Sequence, residues 1–169
     1  SFKDFGARTM ARWMGHFLTN QKQADQQEHV TILVATSGDT GSAVADGFAG
    51  QERIDVVLLY PKGQVSPVQE RQLIVRRPGV RAFAVEGSFD DCQRMVKAAF
   101  LDEGLRPLRL SSANSINIGR LLPQMLYYIW ALREGAFEDV TFCVPSGNLG
   151  NLTGGILAKL GGLPVRRFI

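Results

Sequence analysis

The run Pro145-Ser146-Gly147-Asn148-Leu149-Gly150-Asn151 sets glycines and small polar side chains between an apolar stretch and a helix-forming one. Glycines let the backbone approach an anion closely, and the free amides of a helix start point toward it, so a phosphate fits this loop. The loop has neither the Lys-Ser/Thr ending of a Walker loop nor G-x-G-x-x-G spacing, which argues against an ordinary NTPase or dehydrogenase. Thr36-Ser37-Gly38-Asp39-Thr40-Gly41 is a second anion-type loop, suited to a carboxylate or a second phosphate. Ser and Thr also cap helices for purely structural reasons, so this second signal gains most from the first. Together the two loops point to a ligand set with two anionic groups.

Only five lysines occur, Lys3, Lys22, Lys62, Lys97 and Lys159. Lys3 lies between Phe2 and Phe5 at the start of a helical pattern, where apolar neighbours and the positive end of the helix dipole both disfavour an ammonium. Such a lysine is a candidate nucleophile or Schiff-base former, against the plainer reading of a helix-start lysine reaching for water. Lys62 follows a strand in a glycine-containing loop and is a candidate contact for an anionic group. Lys22 sits in a polar stretch, and Lys97 and Lys159 fall within helical patterns, so solvated surface is expected for all three. Residues 111–117 (SSANSIN) form a third polar loop, from which Asn114 and Asn117 can offer amides to a cleft. Arg120, one turn on, is read equally well as structural or as an anion contact. Cys92 and Cys143 read as core packing, and His16 and His29 lack metal-ligand spacing, so no metal site is expected.

Positioning these loops requires a scaffold, and hydrophobic periodicity alternates strand with helix along the whole chain, the mark of parallel βαβ units. Phe2, Phe5, Met10, Trp13, Met14 and Phe17 recur at three- and four-residue steps, which predicts a first helix with that apolar face. A loop is expected over residues 20–29. Buried strands are expected over residues 30–35, 54–60 and 140–144, a further strand over 80–85, and short strands over 107–110 and near 163–169. Helices are expected over residues 42–49, from Ser66 to about Arg77, after Ser88, and after the loop of residues 145–151 as far as Leu160. The Ser66 helix has a capping Ser, Pro at its first position and Gln three residues after the cap. A long apolar helix over residues 114–133 is expected to bend at Pro123. An open α/β sheet places ligands at the carboxyl ends of its strands, which is where the loops after Ala35, Tyr60, Leu110 and Val144 lie.

Composition bounds the alternatives. The 169 residues are 45% hydrophobic and 21% charged with a net charge of +3, ordinary globular values that exclude disorder, collagen and coiled coil. Basic residues cluster only as the pairs Arg76-Arg77 and Arg166-Arg167, so nucleic acid is disfavoured as a partner. No stretch approaches the ~20 apolar residues of a membrane span, and no signal-peptide pattern is present. Two isolated cysteines suit a reduced, cytoplasmic interior. The chain starts at Ser1 without Met and stops directly after an apolar run, which raises the expectation of a piece of a larger protein.

Five blocks, residues 1–8 (SFKDFGAR), 35–41 (ATSGDTG), 60–73 (YPKGQVSPVQERQL), 112–124 (SANSINIGRLLPQ) and 144–151 (VPSGNLGN), resemble the threonine synthase family in order and spacing. The resemblance implies a pyridoxal-phosphate enzyme of the tryptophan-synthase-β-like fold, fold type II: open, mostly parallel α/β sheets with helices on both faces. It implies that residues 1–110 form most of the smaller domain and residues 111–169 the start of the second. By the same resemblance Lys3 carries pyridoxal 5'-phosphate as a Schiff base and is the catalytic lysine. Ser146, Gly147, Asn148, Leu149, Gly150 and Asn151 would hold the cofactor's phosphate, with Asn114 as a further contact. Thr36, Ser37, Gly38, Asp39 and Thr40 would receive the amino-acid end of the substrate, mainly its carboxylate, with Lys62 and Asn117 as polar contacts. The family often has Phe at the position of Leu149; because backbone amides do the binding, the change is expected to be tolerated.

The implied reaction converts O-phospho-L-homoserine and water into L-threonine and phosphate, in the cytoplasm. Family members are longer on both sides, and the residue facing the pyridine nitrogen comes from the C-terminal part, so this polypeptide alone is expected to be a poor enzyme. The alternatives are another lyase of the same fold, such as a serine or threonine dehydratase, and a noncatalytic phosphate-ligand-binding homologue.

Overall fold

The computed structural model describes residues 2–20 and 29–169. Most of the loop expected over residues 20–29, with Lys22, lies outside the described residues. The chain divides into two compact units, residues 1–114 and 115–169.

The first unit begins with helix α1 (Phe2–Asn20). Its buried stripe is Gly6, Ala7, Met10 and Ala11, whereas Phe5, Trp13 and Phe17 are exposed, Phe17 at 63%. The expected aromatic face is therefore corrected to one of smaller residues. The cause is the closeness of helix α2 (Asp39–Phe48): a Cβ at Gly47 would stand 3.1 Å from the backbone of Ala7. Large rings do not fit so narrow a seam.

Strands β1 (Val30–Ala35), β2 (Ile54–Pro61), β3 (Val80–Val85) and β4 (Leu110–Ser111) form a wholly parallel sheet in the order β3-β2-β1-β4. Every residue of β1 is buried, as expected for a central strand covered on both faces. One core cluster joins Ile32, Val34, Val56 and Leu58 of the sheet to Ala7, Met10, Val44 and Phe48 of α1 and α2. A second cluster, on Leu33, Ala35, Leu59 and Cys92, packs the opposite face against helix α4 (Phe89–Leu101). Helix α2 starts three residues before the expected Ser42, and helix α3 (Pro67–Ile74) stops three residues short of Arg77. The strand expected over residues 107–110 is a 3-10 turn (Glu103–Leu108) followed by Arg109 at φ 46°, which delays β4 to Leu110.

In the second unit the long helix expected over residues 114–133 is three pieces. Asn117 caps a short helix α5 (Ile118–Leu121), a 3-10 turn (Leu122–Gln124) carries Pro123, and helix α6 (Met125–Ala131) follows. Proline removes a backbone donor and crowds the preceding turn, so the chain tightens instead of merely bending. Strands β5 (Val140–Phe142) and β6 (Val165–Phe168) pair in parallel across helix α7 (Gly150–Leu160). Beside them Tyr128 packs edge to face on Phe142 and Phe168, 4.9 Å and 5.9 Å away, and the two phenylalanine rings stack on each other. Cys92 is buried, but Cys143 is exposed, so the expectation of core packing holds only for the former.

Candidate functional site

In the first unit the chain adds β2 and then β3 on one side of β1 and places β4 on the other. The strand order thus reverses between β1 and β4, and in open parallel sheets the crevice at that switch point, on the carboxyl side, is where ligands bind. Two of the expected site segments leave the sheet there. The loop of residues 36–41 follows β1, and the turn of residues 112–114 follows β4.

Thr36 is buried, at 1% exposure, and spends its hydroxyl inside its own loop. The oxygen accepts from the N–H of Gly38 at 3.1 Å and of Gly41 at 2.9 Å, and the hydroxyl donates to the carbonyl of Gly38 at 3.2 Å. The Thr36 side chain therefore shapes the loop. Gly38 adopts φ 154°, ψ −110°, a conformation that glycine alone visits readily. The N-cap residue Gly38 offers no side chain to the first turn of α2, where Thr36 takes only the Gly41 amide, and Ser37 and Asp39 are exposed at its mouth with Thr40 half-buried. Asp39 Oδ1 accepts from Gln69 Nε2 at 2.9 Å. Asn114 Nδ2 donates to the carbonyl of Ala35 at 3.2 Å, and its N–H donates to Ser112 Oγ at 3.2 Å. Asn114 is thus pinned to the last residue of β1, beside the start of the loop.

Lys62 lies at the carboxyl end of β2, exposed and ion-paired with Glu86. Its hydrogen bond and charge interaction with Glu86 push the ammonium pKa up, so it stays a fixed cation. Lys3 is half-buried in the first turn of α1, on the same helical stripe as Ala7 and Ala11, which α1 lays against α2. Lys97 and Lys159 are exposed, as expected.

In the second unit α7 starts at Gly150 after Leu149, which has φ 57° and makes no side-chain cap. A non-glycine residue held there stores of order 1–2 kcal/mol of backbone strain, a feature that clusters at ligand sites. The loop of Ser146, Gly147, Asn148 and Leu149 therefore opens onto a bare helix start, and a Cβ at Gly147 would meet nothing within 4 Å. Asn151 is anchored from behind, where Tyr128 Oη donates to its side-chain oxygen at 2.8 Å. Asn117 Oδ1 accepts from the N–H of Gly119 at 2.9 Å, a structural cap, and Arg120 is buried. Sequence reasoning missed two supports of these loops, Gln69 and Tyr128. Only the Gln69 position carried a signal, read as the residue three after the Ser66 cap.

A parallel α/β sheet with an uncapped glycine loop at a helix start and a first-turn lysine defines a class, and the family comparison agrees with it. The model of the pyridoxal-phosphate dependent enzyme family matches residues 1–169, and the chain belongs to that family. Its fold is the α/β fold of the fold-type-II members. Within the family the chain is similar to threonine synthases: it is 49% identical to that of Escherichia coli strain K12, covering 100% of this chain and 39% of that protein. It is 39% identical to the threonine synthase of Schizosaccharomyces pombe, covering 100% of this chain and 35% of that one. The crystal structure of threonine synthase with bound pyridoxal phosphate from Brucella melitensis superposes with a TM-score of 0.86 at 42% identity, over 99% of this chain and 36% of that one. The chain thus spans less than two-fifths of the length of these relatives.

Proposed function

We propose that the chain is the central part of a threonine synthase, a lyase that converts O-phospho-L-homoserine and water into L-threonine and phosphate. The observation that carries this reading is the 49% identity to the E. coli enzyme over the entire chain. The switch-point loops of the first unit and the uncapped start of α7 support it.

The residues fit pyridoxal 5'-phosphate. The loop of residues 146–151 offers helix-start amides and the small side chains of Ser146, Asn148 and Asn151 to a phosphate. Bound there, the cofactor supplies an electron sink for charge developing on the substrate carbons. Lys3 Nζ is the tether and moves protons at the α and β carbons. The amides of Ser37, Asp39 and Thr40 orient the substrate carboxylate, while Gly38, whose own N–H is held by Thr36, lets the backbone turn there. Asn114 and Asn117 add polar contacts, and Lys62, held as a cation by Glu86, faces the anionic end of the substrate. Placing the departing phosphate among donors stabilises the charge it acquires as the γ-carbon to oxygen bond breaks. Two free cysteines support action in a reducing cytoplasm. Because the chain is so much shorter than its relatives, turnover by these 169 residues alone should be poor.

Borohydride reduction in the presence of pyridoxal phosphate, followed by peptide mapping, tests the assignment. A label confined to Lys3 supports it; label spread over all five lysines refutes it. Phosphate release from O-phospho-L-homoserine, measured beside ammonia release from serine, separates threonine synthase from a dehydratase.

A further inference from the structure

We infer that Gln69 is a positioning residue for the loop of residues 36–41, restraining Asp39 so that the amides at the start of α2 stay available to the substrate carboxylate. The inference rests on the reading of that loop given above.

Gln69 sits in the first turn of α3, with both ends of its carboxamide committed. The Ser66 hydroxyl accepts from the N–H of Gln69 at 3.3 Å and donates to its Oε1 at 3.1 Å. That leaves Nε2 to point away from α3, where it donates to Asp39 Oδ1 at 2.9 Å. The donor and acceptor chemistry fixes the amide's orientation, because only Nε2 can bond a carboxylate. The same amide lies on Gly38, where an added Cβ would come within 2.5 Å of Nε2. Thr36 therefore holds the loop from within, and Gln69 holds it from outside.

Asp39 is the first residue of α2; the N-cap residue, Gly38, has no side chain to offer, and Thr36 Oγ1 reaches only the third amide, that of Gly41. A carboxylate in a first turn is drawn to the unpaired amides beside it, by both hydrogen bonding and the helix dipole. Released from Gln69, Asp39 can turn onto those amides and compete with an incoming carboxylate, which also meets its negative charge. The Gln69 bond holds one oxygen of Asp39 toward α3. The turn that carries Gln69 has its own anchor, since Tyr60 Oη donates to Glu70 Oε1 at 3.2 Å. Replacing Gln69 therefore removes the restraint and leaves α3 attached to the sheet.

The test titrates the full chain, loaded with pyridoxal phosphate, with two probes. These are O-phospho-L-homoserine and 3-aminopropyl phosphate, which keeps the amine and phosphate and lacks the carboxylate. Binding is read by calorimetry and by the amide resonances of Asp39 and Thr40. Gln69→Leu should weaken the amino acid about tenfold and leave 3-aminopropyl phosphate within about twofold, as loss of one charge-assisted contact predicts. Adding Asp39→Asn to Gln69→Leu should recover several-fold of the lost affinity, because the competing charge is gone. Unchanged affinity for the amino acid in Gln69→Leu, or equal loss of both probes, overturns the inference. If the unmutated chain binds both probes equally, the carboxylate role of the loop fails and the inference falls with it, a result distinct from the other two.

Discussion

Thr36 shows how one buried hydroxyl can organise a binding loop without touching a ligand. Its three hydrogen bonds satisfy the N–H groups of Gly38 and Gly41 in a place water does not reach. Thr36→Val keeps the shape, orphans the Gly38 N–H and leaves the Gly41 N–H only its bond to the Gly38 carbonyl, so it should cost about 1–3 kcal/mol, whereas Thr36→Ser should cost less than about 1 kcal/mol. Urea unfolding midpoints at constant slope check both values. Asp91 offers a titratable counterpart. Hydrogen bonds from the Ser88 backbone and hydroxyl, then from Arg94, hold its carboxyl down at about 2. A depressed folded pKa gives stability that is fully present above the unfolded value near 4 and is lost as pH falls through about 2. Asp91→Asn should therefore flatten the stability profile between about pH 4 and pH 2, and thermal melts across that window measure it.

Individual elements were legible where the signal is local. The strands Val30–Ala35 and Val80–Val85 occupy their expected ranges, the first as a wholly buried apolar run and the second as a partly exposed edge strand with Val and Phe between turns, and Ser66 and Ser88 cap the helices they announce. Elements whose limits depend on distant packing were not. The apolar face of α1 was misjudged because its width is set by Gly47, forty residues away from Ala7 in the chain. The long helix after Asn114 broke because Asn117 caps inside it and Pro123 removes a donor. Among candidate site segments, the glycine loops were legible from composition, but Gln69 was not, since its partner Asp39 is thirty residues upstream. The seam between α2 and α3 gives a test at this scale. A Cβ at Gly41 would lie 2.5 Å from both Leu73 and Thr36, two fully buried side chains. Gly41→Ala ought to stabilise an exposed helix by about 1 kcal/mol, yet here overpacking should reverse the sign to a loss of about 1–3 kcal/mol. The same measurement on Gly50→Ala separates steric from conformational cost, because Gly50 has φ 70° and nothing within 4 Å.

At the scale of the whole molecule, the surface raises a question that the core does not. Helix α6 buries Tyr128 and leaves Leu126, Tyr127, Ile129 and Trp130 exposed, Trp130 at 67%. On α7, Ile156 and Leu160 are exposed as well. Single exposed hydrophobics are ordinary, but four within five consecutive residues form a patch of the kind that recruits another apolar surface. Arg133 lies 3.5 Å from the Trp130 ring and shields only part of it. The relatives carry more than twice this length of chain, and additional polypeptide is the natural cover for such a face. The 169-residue chain should accordingly enhance the fluorescence of 8-anilinonaphthalene-1-sulfonate while folded. The triple substitution Leu126→Gln, Ile129→Gln, Trp130→Gln should remove most of that signal and lower the unfolding midpoint only moderately, since Trp130 is mostly exposed and Leu126 and Ile129 are about half exposed. An unchanged dye signal would place the sticky surface elsewhere, with the exposed Phe17 and Trp13 of α1 the next face to substitute.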